Sequence, residues 1–246
     1  MMPLFTSSNK IYFHESPESF TSKELRNLSK FQYLIFNHED FNESLKNIPN
    51  NITRIQFSLI SKFNQPITVL PDKLEKLTFG NYFDQPLDNL PESLIQLDLG
   101  ENFTQYLDNL PHHLEYLEIG HQFNHPINNL PMKLTHLKIG KSFNHPIDNL
   151  PPNLVLLKFY HHSCFNNPIN NLPNKLQTIE LGSAFYQDIN NLPDSLEKII
   201  IYNDNYDILI TRLPSNLKEI CISLNYPWYE ELTNLANIIN AKIFYI

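Results

Sequence analysis

The chain has 246 residues, 41% of them hydrophobic, which is enough for a sizeable core, and a formal net charge of −8. That balance disfavours a general binder of nucleic acid or of an anionic membrane, since both need a cationic surface; only a local basic patch would be an exception. No apolar run approaches membrane-spanning length, and the N-terminal MMPLFTSSNK has no basic segment followed by an apolar one. A soluble, intracellular and cytoplasmic protein is therefore expected, with no nucleic acid and no membrane among its partners. The two cysteines, Cys164 and Cys221, lie far apart and form no disulfide framework, which suits a reducing compartment.

Residues 1–40 are irregular and predict an N-terminal cap. Lys10–His14 (KIYFH) has the composition of a short edge strand. Thr21-Ser22-Lys23-Glu24 has the spacing of a capping box, with a short helix to follow through Leu25 and Leu28. Phe31, Leu34 and Phe36 then open an L-x-x-L-x-L spacing that recurs through the chain.

Residues 41–223 are nine tandem copies of one short unit. They index on Pro49, Pro71, Pro91, Pro111, Pro131, Pro151, Pro173, Pro193 and Pro214, at intervals of 20 to 22 residues, a period typical of solenoids. Eight residues before each proline stands an aromatic, from Phe41 and Phe63 through to Tyr206; four before it stands an aliphatic, such as Ile67 or Ile147. Three, six and eight residues after it come apolar residues, for example Leu94, Leu97 and Leu99. The last two bracket a polar position, which predicts a strand with one buried face. All five glycines (Gly80, Gly100, Gly120, Gly140, Gly182) directly follow that strand, where a turn needs positive φ or two backbones come close. The return segment often carries two prolines five residues apart, so it should be extended, not helical. One coil cannot hide its own apolar side chains, but a stack can. Asn89, Asn109, Asn129, Asn149, Asn171 and Asn191, two residues before their prolines and between the apolar positions four and one before them, are expected to form an internal ladder that satisfies backbone groups of neighbouring coils. After Ser223 the pattern stops, and residues 224–246 predict a C-terminal cap: an amphipathic helix through Leu232, Leu235 and Ile238, then an apolar tail, Lys242–Ile246.

The L-x-x-L-x-L strand after a turn resembles a leucine-rich repeat. The phrase F-N-x-P-I-x-N-L-P-x-x-L-x-x-L-x-[ILF]-G resembles the FNIP repeat, a leucine-rich-repeat variant known mainly from amoebae and the large viruses that infect them. The phrase is full at Phe63–Gly80, Phe123–Gly140, Phe143–Phe159 and Phe165–Gly182 and loses its inner proline at 103–107, 185–189 and 206–210. The resemblance implies a curved parallel β-solenoid used in protein–protein interaction; joined to the proline-rich return and the two end segments, the expected fold is a leucine-rich-repeat-like parallel β-sheet with an extended, non-helical convex side, capped at both ends. Some members carry an F-box that recruits a ubiquitin ligase; residues 1–40 hold no Leu-Pro-led pattern of that kind.

Catalytic motifs are absent: there is no G-x-S-x-G, P-loop, dinucleotide fingerprint, HExxH or CxxC, so neither an enzyme nor a cofactor is expected. His161, His162 and Cys164 sit in an enlarged unit, and His125 and His145 occupy equivalent positions of neighbouring coils. Such residues can ligate zinc, but a polar loop expansion explains them as well, and no metal site is assigned. The outward positions of each strand, five and seven residues after the proline, are the best candidates for binding, because they vary while the rest of the unit repeats. Among them Asp98, Tyr116 and Glu118 form an acidic-aromatic patch, and His136, Lys138, Leu156 and Lys158 a basic one. Tyrosine among charges is common at interface centres. The expected function is therefore non-catalytic binding of a protein partner that the sequence does not name. The alternatives are a substrate-recognition adaptor in ubiquitination, by family analogy alone, and an orphan structural repeat protein.

Overall fold

The computed structural model describes residues 5–7, 9–13, 28, 30–46 and 48–246. Its contacts divide the chain into two compact units, Met1–Phe123 and Asn124–Ile246. The expected capping box at 21–24 and Leu25 lie outside the described residues; Leu28 is buried.

The first unit carries β1 (Phe5–Ser7), β2 (Lys10–Phe13), β3 (Tyr33–Phe36), β4 (Arg54–Phe57), β5 (Lys76–Thr78), β6 (Gln96–Asp98) and β7 (Tyr116–Ile119). β1 pairs antiparallel with β2, and every later pairing in the unit is parallel. The Lys10–Phe13 strand is thus no edge, since β1 covers its outer side. The register runs straight down the apolar positions: Leu34 faces Ile55, Ile55 faces Leu77, Leu77 faces Leu97 and Leu97 faces Leu117.

The second unit carries β8 (His136–Ile139), β9 (Leu156–Phe159), β10 (Thr178–Leu181), β11 (Lys198–Ile201), β12 (Glu219–Ile222), helix α1 (Tyr229–Ile239) and β13 (Lys242–Tyr245), with every pairing given from β8 to β13 parallel. Leu137, Leu157, Ile179, Ile199, Ile220 and Ile243 continue the apolar register. No helix occurs among the described residues between β3 and β12.

Local chemistry explains the coil. Each indexing proline opens a turn in which its own carbonyl accepts from the N–H three residues on, as in Leu94 to Pro91 at 3.0 Å and Leu176 to Pro173 at 3.0 Å. A second turn at the glycine brings the aromatic inward, Phe103 N–H donating to the Gly100 carbonyl at 3.2 Å. No glycine has positive φ, so the glycine serves close approach. A Cβ on Gly100 would lie 1.9 Å from the Gly80 carbonyl oxygen, and one on Gly120 1.9 Å from that of Gly100.

The aromatics form a buried column in each unit. Ring centres are 5.9 Å apart for Phe41–Phe63, 6.0 Å for Phe63–Phe83, 6.3 Å for Phe83–Phe103 and 6.4 Å for Phe103–Phe123. In the second unit Phe143, Phe165, Phe185, Tyr206 and Tyr226 follow at 6.1 to 6.4 Å. Parallel strands stand about 4.8 Å apart, so within each unit the coils fan out from the sheet, which makes the sheet the inner face.

The asparagines before the proline are exposed, against expectation. Their side chains reach along the surface to the neighbouring coil, as Asn89 does to the Ile67 carbonyl (3.1 Å) and Asn171 to Asp148 (3.0 Å). The ladder that satisfies backbone donors stands one residue after the aromatic instead. Asn42 Oδ1 accepts from Asn64 N–H (2.8 Å), Asn64 from Asp84 (2.9 Å) and Asp84 from Thr104 (2.8 Å). In the second unit Asn124 accepts from Asn144 (3.1 Å), Asn144 from Asn166 (2.9 Å) and Asn166 from Tyr186 (2.8 Å). The extended return segment has no strand partner for these N–H groups, and the side chain supplies one.

The C-terminal end differs from the expected cap in detail. Tyr226 is one further member of the aromatic column; its hydroxyl donates to the Ile208 carbonyl (3.0 Å) and accepts from Ile210 N–H (3.1 Å). Leu232 and Ala236 are the buried residues of α1, whereas Ile238 is 78% exposed. Helix α1 replaces the extended return of one coil, and the tail after it is a strand, Glu219 facing Lys242 and Ile222 facing Tyr245.

Candidate functional site

Strand alternation presents the positions five and seven after each proline outward. On the first unit the register sets Gln96 beside Tyr116 and Asp98 beside Glu118. Tyr116 and Glu118 share one face of β7, and the Tyr116 hydroxyl donates to Glu118 Oε2. Burial, reinforced by the Glu118 hydrogen bond and by the Glu118 and Asp98 carboxylates, pushes the Tyr116 pKa well above the usual range, so it remains a donor throughout the physiological span. Asp98 Oδ2 accepts from Thr78 Oγ1 (3.1 Å) and Gln96 Nε2 (3.3 Å). The three residues are half-buried and brought together.

On the second unit His136 faces Leu156 and Lys138 faces Lys158. His136 Nδ1 lies 2.9 Å from Thr135 Oγ1. Lys158 is less available than expected, because its ammonium sits 2.7 Å from Glu180 Oε2 on the next strand. Lys198 and Glu219 repeat this pairing at 2.9 Å; the shared hydrogen bond raises the lysine pKa and lowers that of the carboxyl. The four residues are half-buried, and the structure places His136 and Lys138 beside Leu156 and Lys158 as the spacing implied.

His161 and His162 approach each other with Nδ1 atoms 3.1 Å apart, and Cys164 is exposed. No group of three or more His, Cys, Asp or Glu placed to hold a metal occurs among the described residues. Burial pushes the Cys221 thiol up, away from the thiolate form that makes cysteine reactive. A cavity of about 200 Å3 opens in the return segment of the first unit, lined by Pro86, Asp88, Tyr106 and Asp108, where Tyr106 replaces the inner proline.

Residues that sequence spacing missed are Lys10 and Tyr33. The register extends the first outward column back through them: Lys10 faces Tyr33, Tyr33 faces Arg54 and Arg54 faces Lys76. The signal was the Phe31-Leu34-Phe36 spacing, but without an indexing proline before Pro49 it did not align Lys10 with the column.

No helix among the described residues is long and apolar enough to cross a membrane. No curated protein matches the chain. Among solved structures, that of CroV588, described as a novel circular LRR protein, is 30% identical over 91% of this chain and 38% of its own, with a TM-score of 0.76. The Toll–Spätzle complex of Drosophila supplies a second match, 12% identical over 97% of this chain and 40% of its own, with a TM-score of 0.65; at that identity it shows the fold alone. The chain spans about two fifths of the length of each. Both carry the leucine-rich-repeat type of solenoid described above. The model of the family described as FNIP Repeat matches residues 41–82, 63–89, 83–122, 123–162 and 165–204, and this chain belongs to that family.

Proposed function

We propose that the protein is a non-catalytic interaction solenoid that binds a protein partner on the outward face of its strands. The observation that carries this reading is the contrast between positions. The inward residues stay large, apolar and buried in every coil, while the outward residues differ from coil to coil in charge and polarity on the same strands. Asp98, Tyr116 and Glu118 on the first unit, and His136, Lys138, Leu156 and Lys158 on the second, are the proposed contact residues. A platform of paired strands loses little entropy on binding, and charges around a preorganised tyrosine orient a partner.

An affinity pull-down with the intact chain is the direct test. Reproducible capture of a protein is expected, followed by loss of affinity at low salt when Glu118→Lys and Lys138→Glu are combined and the thermal midpoint is unchanged. Unchanged affinity in that variant would remove this face from the proposal. Capture of ligase components would turn the reading toward a ubiquitination adaptor.

A further inference from the structure

A separate stretch of the outward face carries cations that no described carboxylate pairs with. Lys10, Tyr33, Arg54 and Lys76 stand in one column on β2 to β5. The Tyr33 ring lies between cations from its two neighbouring strands, with the Arg54 guanidinium carbon 4.7 Å and the Lys10 ammonium 5.8 Å from its centre. Neither these two cations nor Lys76 makes an ion pair among the described residues. The second outward column on the same strands, Tyr12, Ile35, Gln56 and Thr78, holds no charge. The second unit is built the other way, since Lys158 and Lys198 each meet a carboxylate one strand on. The chain has 26 acidic and 18 basic residues, yet among the described residues no carboxylate makes an ion pair with this column.

We propose that the Lys10–Tyr33–Arg54–Lys76 column docks an acidic segment of a partner protein, its carboxylates against the three cations and its backbone covering the tyrosine ring. The proposal stands on residues other than those assigned above and does not depend on them. Charge complementarity names the occupant. A guanidinium stacked on an aromatic ring keeps its N–H edge open for a bidentate carboxylate, which an ammonium cannot match. The extent of the patch favours a short peptide over a nucleic acid. Four strands at about 4.8 Å span roughly 14 Å. Beyond them the same face continues into Gln96 and then the Asp98 and Glu118 carboxylates, which would repel a phosphate chain running further along the strands.

The test is fluorescence anisotropy of a labelled polyglutamate peptide with the whole chain, at low and high salt. Binding at low salt is expected, with weakening as the Debye length shrinks below about 10 Å. Arg54→Gln combined with Lys76→Gln should weaken it about tenfold without moving the thermal midpoint, because Gln96 already occupies the next place in the column. Lys175→Gln with Lys218→Gln removes the same charge elsewhere and should leave binding unchanged. Should the first double variant not fold, Lys76→Gln alone, outside the ring sandwich, carries the same comparison. Absence of peptide binding at low salt, equal losses in both double variants, or tighter binding of oligodeoxythymidylate through the same residues would each overturn the proposal.

Discussion

The two faces of β9 carry neighbouring residues under opposite constraints. Leu157 and Phe159 point inward and are fully buried, Leu157 beside Leu137 and Ile179 and the Phe159 ring stacked on Phe165 at 4.1 Å. Leu156 and Lys158 point outward and are half-buried, and the Lys158 ammonium meets Glu180 on the next strand. An inward side chain is held by the coil before, the coil after and the aromatic column, so its size and shape are dictated by the period. An outward side chain answers only to its lateral neighbours. Variation on this second face is therefore permitted by the fold, and the choices made there are where recognition can be written.

Truncation of the column should separate the faces most sharply. Phe143→Ala is expected to cost about 3–5 kcal/mol, as aromatic core deletions do, because the ring stacks on Phe165 at 6.1 Å and lies 6.4 Å from Phe159. Tyr116→Ala on the outward face should cost under about 1 kcal/mol. Comparable losses in a denaturant titration would mean that the faces are not distinct. Gly100→Ala tests the turn between them. Its Cβ meets a backbone carbonyl that cannot rotate away, so about 3 kcal/mol or more is expected, and a neutral result would show that the coils can part freely.

Asn144→Ala examines the ladder. Its Oδ1 accepts from Asn166 N–H at 2.9 Å and Asn167 Nδ2 at 2.7 Å, and exchanging these exposed bonds for water should cost about 0.5–1.5 kcal/mol. Asn149→Ala, at the exposed row before the proline, should cost less in the same titration; the reverse order would restore the ladder first expected there. The smallest effects belong to the outward ion pairs. Lys158→Met should change stability by less than about 1 kcal/mol, with the Glu180 side chain still 14% exposed to water.

Glu219 gives the pH counterpart. Its folded pKa is lowered by the Lys198 hydrogen bond, so its contribution is present above the ordinary carboxylate range and is lost as pH falls through the lowered value. Lys198, whose pKa is raised, contributes below its ordinary range and loses that contribution as pH rises through the raised value. Thermal midpoints across an acid series should fall less steeply for Glu219→Gln than for the unaltered chain. Parallel curves would show that the pair adds nothing to acid stability.

Much of this architecture was legible because a solenoid writes its geometry as a period. Proline, aromatic, aliphatic and glycine positions located the strands of the repeats, their inward residues and the non-helical return. The two asparagine rows defeated spacing because both recur with the same period. Only the coil geometry sets the one after the aromatic against an N–H that lacks a strand partner. Ile238 matched an amphipathic pattern, yet one side of α1 is covered by Leu232 and Ala236, and Ile238 falls on the other. Tyr226 lay past the last clear unit but keeps the aromatic position, its hydroxyl bound to two backbone groups that phenylalanine could not reach.

Local spacing alone determined the coil: which residues turn, which extend and which face inward, since each depends on neighbours within about twenty residues in a periodic chain. Tertiary structure alone decided which outward side chains meet. Lys158 finds Glu180 one strand on, while Lys10 and Arg54 close on Tyr33 from strands separated by irregular sequence. Those pairings depend on lateral register between coils. Register is set by the packing of buried leucines and aromatics, not by the charged residues that it brings together.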